Sequence, residues 1–132
     1  MLSPITHGQF ERIRERFPGA TLDELPSGAA LLTVPNVEIP RGWSAATTTI
    51  RFLVPPGYPG PAPDCFWSDT ILSLAVGGMP QASQPAYAIP ETGRSGQWFS
   101  WHVTDAAKNW HPNRDELMTF LKIALDRFRE LK

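Results

Sequence analysis

The sequence predicts an α+β fold. Three observations carry that reading. An amphipathic run near the N-terminus stops at Pro18-Gly19. β-branched and apolar residues alternate through the stretch 29–54. A second amphipathic run, with an apolar stripe along one side, closes the chain.

Each element follows from local pattern. Thr6 and Gln9 have capping-box spacing, and Phe10, Ile13 and Phe17 then recur at helical intervals among charged neighbours. This predicts a helix over about 7–17, stopped by Pro18-Gly19. Ala29 to Val34 is a short apolar run that suits a strand. Val37 and Ile39 alternate with polar residues, and Pro40-Arg41-Gly42 makes a turn. In "ATTTIRFLV", Ile50, Phe52 and Val54 share one face, and Thr49, Arg51 and Leu53 share the other. "DCFW" reads as a short fourth strand, which completes a four-stranded antiparallel meander. Residues 70–97 show little periodicity and several Gly and Pro, so they read as a long irregular stretch, a lid or docking surface. "GQWFSWHV" reads as extended chain or loop. Asn113 and Glu116 have capping-box spacing too, and Leu117, Phe120, Leu121, Ala124 and Phe128 form a stripe, which predicts a helix over about 114–131.

Composition narrows the function. A chain of 132 residues suits one domain, 1–132. The formal net charge of −1 and the lack of a basic stripe argue against nucleic acid and against an anionic membrane surface. One cysteine forms no internal disulfide, which suits a reducing compartment. The first residues lack a signal-peptide pattern, and no apolar run nears the roughly 18 residues of a membrane span. The expected location is the cytoplasm.

The segment Phe52–Asp69, "FLVPPGYPGPAPDCFWSD", holds the one cysteine in a run rich in proline. Prolines forbid a central strand and fix an extended path. Tyr58-Pro59-Gly60-Pro61 reads as a stiff turn that packs a tyrosine ring. Trp110-His111-Pro112 stands just ahead of the last helix.

These motifs, in this order, resemble ubiquitin-conjugating enzymes. Those enzymes have an N-terminal helix, a four-stranded meander and a proline-rich turn. An irregular active-site stretch, a Trp-x-Pro and a helix then follow. The turn matches at Phe52, Pro55, Tyr58, Pro59 and Pro63, and the Trp-x-Pro at Trp110 and Pro112. The sequence is most similar to the prokaryotic family labelled E, through "GW", "PPGYP", "FSWH" and "WHP" with the following "DEL". The resemblance spans about residues 20–131. It implies a ubiquitin-conjugating-enzyme-like fold and transfer of a ubiquitin-like protein received from an activating enzyme. A JAB-type metallopeptidase is often a further pathway partner. No cofactor is implied.

The resemblance places the carrier cysteine of those enzymes about eight residues before the tryptophan, and here that position is His102. No cysteine follows Phe66. Ser100 or Thr104 can take the thiol's place as an oxygen nucleophile, with His102 as base and Asp105 orienting the imidazole. In an extended segment Ser100 and His102 point the same way, with Cα atoms about 6.6 Å apart. The alternatives are a binding remnant, or a non-catalytic adaptor for the ubiquitin-like protein or its activating enzyme. Cys65 falls at the fourth strand and reads as a buried small hydrophobe, third in line as carrier. Asn113 of His111-Pro112-Asn113 reads as an N-cap and His111 as a surface residue. Asp115, Glu116, Asp126 and Glu130 read as a solvated helix face. The cysteine and the three histidines lack metal-ligand spacing, so a zinc site is not expected. Trp98, Phe99 and Trp101 read as core or a partner patch.

Overall fold

The computed structural model describes residues 2–100 and 110–132. Its elements are α1 (Pro4–Arg16), β1 (Thr21–Glu24), β2 (Ala30–Glu38), β3 (Thr47–Val54), β4 (Phe66–Ser68), β5 (Ser83–Ile89), β6 (Arg94–Phe99) and α2 (Leu117–Arg127). The strands form one antiparallel sheet in the order β1-β2-β3-β4-β6-β5. The α+β class and the two terminal helices agree with the sequence. Among the described residues the sheet has six strands, not four.

α1 starts earlier than the spacing of Thr6 and Gln9 suggests. Ser3 is the N-cap, its hydroxyl accepts from Thr6 N at 3.2 Å, and Pro4 opens the helix. Proline suits that position because its missing N–H would be unpaired there anyway. Gln9 is used elsewhere: its Oε1 accepts from Leu117 N at 3.1 Å and from the Tyr58 hydroxyl.

β1 was not legible. It is four residues long and mostly exposed, so it has little apolar alternation. Residues 30–38 form one strand instead of two. A bulge between Val34 and Val37 takes up Pro35 and Asn36, with Asn36 at φ 57°. Proline cannot donate to the ladder and asparagine tolerates the left-handed region, so a bulge is where this pair fits.

The larger correction concerns residues 70–97. They include β5 and the first part of β6, a hairpin that extends the sheet beyond β4. β5 is mostly exposed and β6 is exposed in its first two residues, so the apolar alternation that marks a half-buried strand is confined to the end of β6. Only Gln97–Phe99 pair with β4. The rest of the hairpin turns back over the sheet, and Ile89 is buried against Leu31 and Trp67.

α2 also starts later than predicted. Glu116 is its N-cap, and the Thr119 hydroxyl accepts from Glu116 N at 3.0 Å. Asn113 lies in an exposed turn and does not cap the helix. The turn is held by Asp115, which is buried and accepts from His111 N at 2.8 Å. The reading of Asp115 as solvated is therefore corrected. The helix ends at Arg127, short of residue 131.

One face of the sheet packs on both helices. Phe10 and Ile13 of α1, and Leu117, Phe120, Leu121 and Ala124 of α2, share a core with Leu32, Ile50, Phe52 and Phe66. Fully burying one such side chain stabilises by about 1.5–3 kcal/mol. The stripe on α2 is the one its spacing indicates.

Candidate functional site

Ser100 follows β6 directly. Phe99, fully buried, fixes the end of that strand by stacking on Phe66 with ring centroids 4.9 Å apart. Ser100 N donates to Ala82 O at 2.9 Å, so the residue just before β5 holds its main chain. Ser100 itself is half-buried. His102, Thr104 and Asp105 lie outside the described residues. So does Trp101.

The segment 101–109 runs between two firm posts, Ser100 and Trp110. Trp110 Nε1 donates to Pro59 O at 2.9 Å, and its ring meets Tyr58 at 5.9 Å between centroids. The Tyr58 hydroxyl donates to Gln9 of α1. Gln9 in turn accepts from the start of α2. The proline turn, the Trp-x-Pro and both helices thus form one clamp. Burial raises the Tyr58 phenol, and the charges of Glu116 and Asp115 push it the same way, so the hydroxyl keeps the proton it donates.

Arg127 is almost wholly buried beside Phe99, the residue before Ser100. It donates to Glu130 O at 3.1 Å, to Lys132 O at 2.6 Å and to Gln81 O at 3.1 Å, next to the Ala82 carbonyl that holds Ser100. Its guanidinium lies 5.8 Å from the centroids of Trp43 and Phe99. Burial lowers its pKa, and Glu130 opposes that shift. The sequence reading passed over Arg127. Its place on the α2 stripe, three residues after Ala124, was the available signal. Gln97 was passed over too. It is fully buried and grips both main-chain groups of Leu72, at 2.7 and 2.8 Å. Its alternation with Phe99 marks it as inward-facing.

The register brings Cys65 close to this site. Trp67 pairs with Trp98 and Phe66 with Phe99. Cys65 precedes and Ser100 follows the stacked Phe66–Phe99 pair, so both lie just beyond this end of the ladder. Cys65 lies one residue ahead of β4 and is half-buried, not buried within the strand as expected. It packs against the small cluster of Leu31, Trp67 and Ile89. Burial pushes the thiol pKa up, a hydrogen bond with Trp98 opposes this, and the charge of Asp64 adds to it. A thiolate carrier needs the opposite shift.

The hairpin and the proline segment enclose a groove of about 430 Å³ on this outer face. Cys65, Trp67 and Trp98 line it. Glu91, at the hairpin tip, accepts from Ser27 N at 2.9 Å and from Ser27 Oγ at 2.6 Å, which latches the tip to the β1–β2 turn. Among the described residues, no His/Cys/Asp/Glu group can hold a metal ion, and no helix is long and apolar enough to cross a membrane.

Comparison with known proteins gives one family. The sequence model described as prokaryotic E2 family E matches residues 17–130. No curated protein and no solved structure matches the chain.

Proposed function

The chain belongs to prokaryotic E2 family E, and from that premise we propose that it accepts the C-terminal carboxylate of a ubiquitin-like protein from an activating enzyme and passes it on. The match over residues 17–130 carries this reading. Residues 1–132 act as one such domain, and a JAB-type metallopeptidase belongs to the same pathway.

Ser100 is the proposed acyl carrier, ahead of Thr104. Ser100 Oγ attacks the thioester carbonyl on the activating enzyme. A C–O bond forms, the C–S bond breaks, the activating enzyme's cysteine leaves as the thiolate, and the hydroxyl proton passes to His102, oriented by Asp105, and on to that thiolate. The support for Ser100 is its fixed main chain at the strand end and its place beside the segment that ends at Trp110. A base is required because a hydroxyl is a weak nucleophile at neutral pH. The second reading is an adaptor that binds the ubiquitin-like protein or the activating enzyme without accepting the acyl group. The lack of a cysteine after Phe66, where the family's carrier thiol is expected, favours it.

Incubation with the cognate activating enzyme, ATP and ubiquitin-like protein, followed by mass spectrometry, separates the two. The acyl-carrier reading expects an adduct that withstands thiol reductants and is cleaved by hydroxide. Ser100→Ala abolishes it, His102→Ala slows its formation about 10²–10⁴-fold, and Cys65→Ser keeps it. An adduct on Cys65 that reductant removes would overturn the oxygen carrier. Tight binding without any adduct would establish the adaptor.

A further inference from the structure

We propose that the tip of the β5–β6 hairpin, residues 87–96, is a hinged flap over Cys65 that the contact between Ser27 and Glu91 latches shut. Its motion requires neither Ser100 nor acyl transfer.

The strand register places the hinge. β4 pairs with Gln97, Trp98 and Phe99 of β6. On the other side of β6, Ser83 pairs with Phe99 and Gln84 with Trp98. This base is three strands wide, and Gln97 and Phe99 anchor it through Leu72 and Phe66. Beyond it Tyr87, Ala88 and Ile89 pair with Gly96, Ser95 and Arg94, which have no partner on β4. Base and tip meet at a weak point on each strand. β5 has a register shift between Gln84 and Tyr87, where Pro85 cannot donate to a ladder. Gly96 faces Tyr87 across that shift and has no side chain to resist a change of backbone angles. A few such residues are enough to absorb a hinge rotation.

Little holds the tip down. Within residues 87–96 Ile89 alone is buried, against Leu31 and Trp67. Tyr87 stacks on Trp98 across the hinge, with centroids 4.9 Å apart. Trp67 is buried, and its Nε1 has no hydrogen-bond partner among the described residues. A buried unpaired donor favours a motion that lets water reach it.

The latch supplies the remaining hold. Ser27 N, at 2.9 Å, and Ser27 Oγ, at 2.6 Å, both donate to the Glu91 carboxylate. Ser27 is set in a tight turn, where Gly28 N donates to Leu25 O at 3.0 Å. Glu91 has φ 65°, a left-handed conformation that suits glycine or asparagine better than glutamate. The chain keeps this strain at the residue whose carboxylate reaches Ser27. Both latch residues are exposed, so a change at either acts on the tip without disturbing the core. A negative charge at Ser27 repels the same carboxylate and releases the flap.

The flap residues Tyr87, Pro90 and Glu91 line the outer groove together with Cys65. Opening lifts Ile89 from the cluster on which Cys65 packs, so the thiol reports the motion.

The full-length wild type is compared with Glu91→Asn, Ser27→Asp and Ser27→Ala. Hydrogen exchange follows the amides of residues 87–96, and mass spectrometry follows the alkylation of Cys65 by iodoacetamide. A denaturant melt follows global stability. Glu91→Asn suits the left-handed turn but is shorter and uncharged. This variant and Ser27→Asp are expected to speed both the exchange of the tip and the alkylation about fivefold to tenfold. Exchange of Gln97–Phe99 and the melt stay as in the wild type. Ser27→Ala keeps its main-chain bond to Glu91 and gives a smaller gain. The two rates rise by the same factor in each variant, because one motion serves both. Tip amides that exchange no faster in Glu91→Asn and Ser27→Asp would overturn the proposal. So would an equal rise at Gln97–Phe99, or a faster tip with unchanged alkylation of Cys65.

Discussion

On the helix side the sheet buries Leu32, Ile50, Phe52 and Phe66 completely, in one core with both helices. On the outer side, among the described residues, the buried apolar cluster is Leu31, Trp67 and Ile89, with Leu25, Leu53, Cys65 and Trp98 partly buried against it. The inner face is covered by two amphipathic helices, and the outer by the tip of a hairpin joined to β4 through only three residue pairs. The difference teaches that one sheet can carry two layers of unequal strength. The strong layer sets the fold. The weak one shapes the groove, and local opening starts where few apolar contacts hold.

The largest expected effect breaks the strong layer. Phe120 is fully buried, with its ring centroid 4.9 Å from that of Phe52. Phe120→Ala is expected to cost about 3–5 kcal/mol of global stability, through lost burial and an unfilled cavity. Ile89→Ala is expected to cost about 2 kcal/mol, the low end for such a truncation. Its cost should appear mainly as faster amide exchange in residues 84–96, measured beside a denaturant melt of each variant. Equal global losses would show that the hairpin is part of the main folding unit and end the comparison.

The same contrast explains what was legible in the sequence. The α2 stripe and the alternation of Ile50, Phe52 and Val54 are set by burial against a large partner, so each carries a period. The hairpin has little period because it is exposed on most of its length and packs on the outer cluster chiefly through Ile89 and Trp98. Tyr58, Pro59 and Trp110 were legible as motifs, and the structure joins them in a clamp. Ser100 was legible only through a resemblance. That Cys65 and Ser100 flank one aromatic pair, Phe66 on Phe99, was not legible, because strand register depends on the hairpin's return to β4. Asp115 was misread because a helix-like spacing hid a turn that needs a carboxylate to hold His111 N.

A medium effect is expected where the two layers part. At Gly96 an added Cβ would meet Ser68 O at 2.9 Å and Trp67 Cβ at 3.6 Å. Ser68 O belongs to the main chain of β4 and cannot swing aside. Gly96→Ala should therefore push the hairpin from β4 and destabilise by about 1–3 kcal/mol, read from a denaturant melt. Trp98 fluorescence should shift with it, since its contact with Tyr87 depends on hairpin position. A neutral result would mean that the hairpin slides freely, and would weaken the case for a fixed groove.

The smallest effect is a pH dependence confined to the weak layer. Burial, reinforced by Asp64, raises the Cys65 thiol above its ordinary value of 9.0 in the folded protein, the Trp98 hydrogen bond only partly opposing it. Unfolding restores the ordinary value. The folded state therefore holds the proton more firmly, and the unfolded state releases it first as the solution turns alkaline. Stability is unaffected by this group below the unfolded pKa and falls as pH rises toward the folded one. Tyr58, also raised, adds a fall of the same sign at higher pH. Comparing the wild type with Cys65→Ala isolates the thiol: the difference in stability between the two should be flat near neutrality and shrink above about pH 9. A difference that grows with pH would show that the folded environment favours the thiolate. Cys65 would then have the charge state of a carrier, and the outer face would have to be read as a reactive surface in its own right.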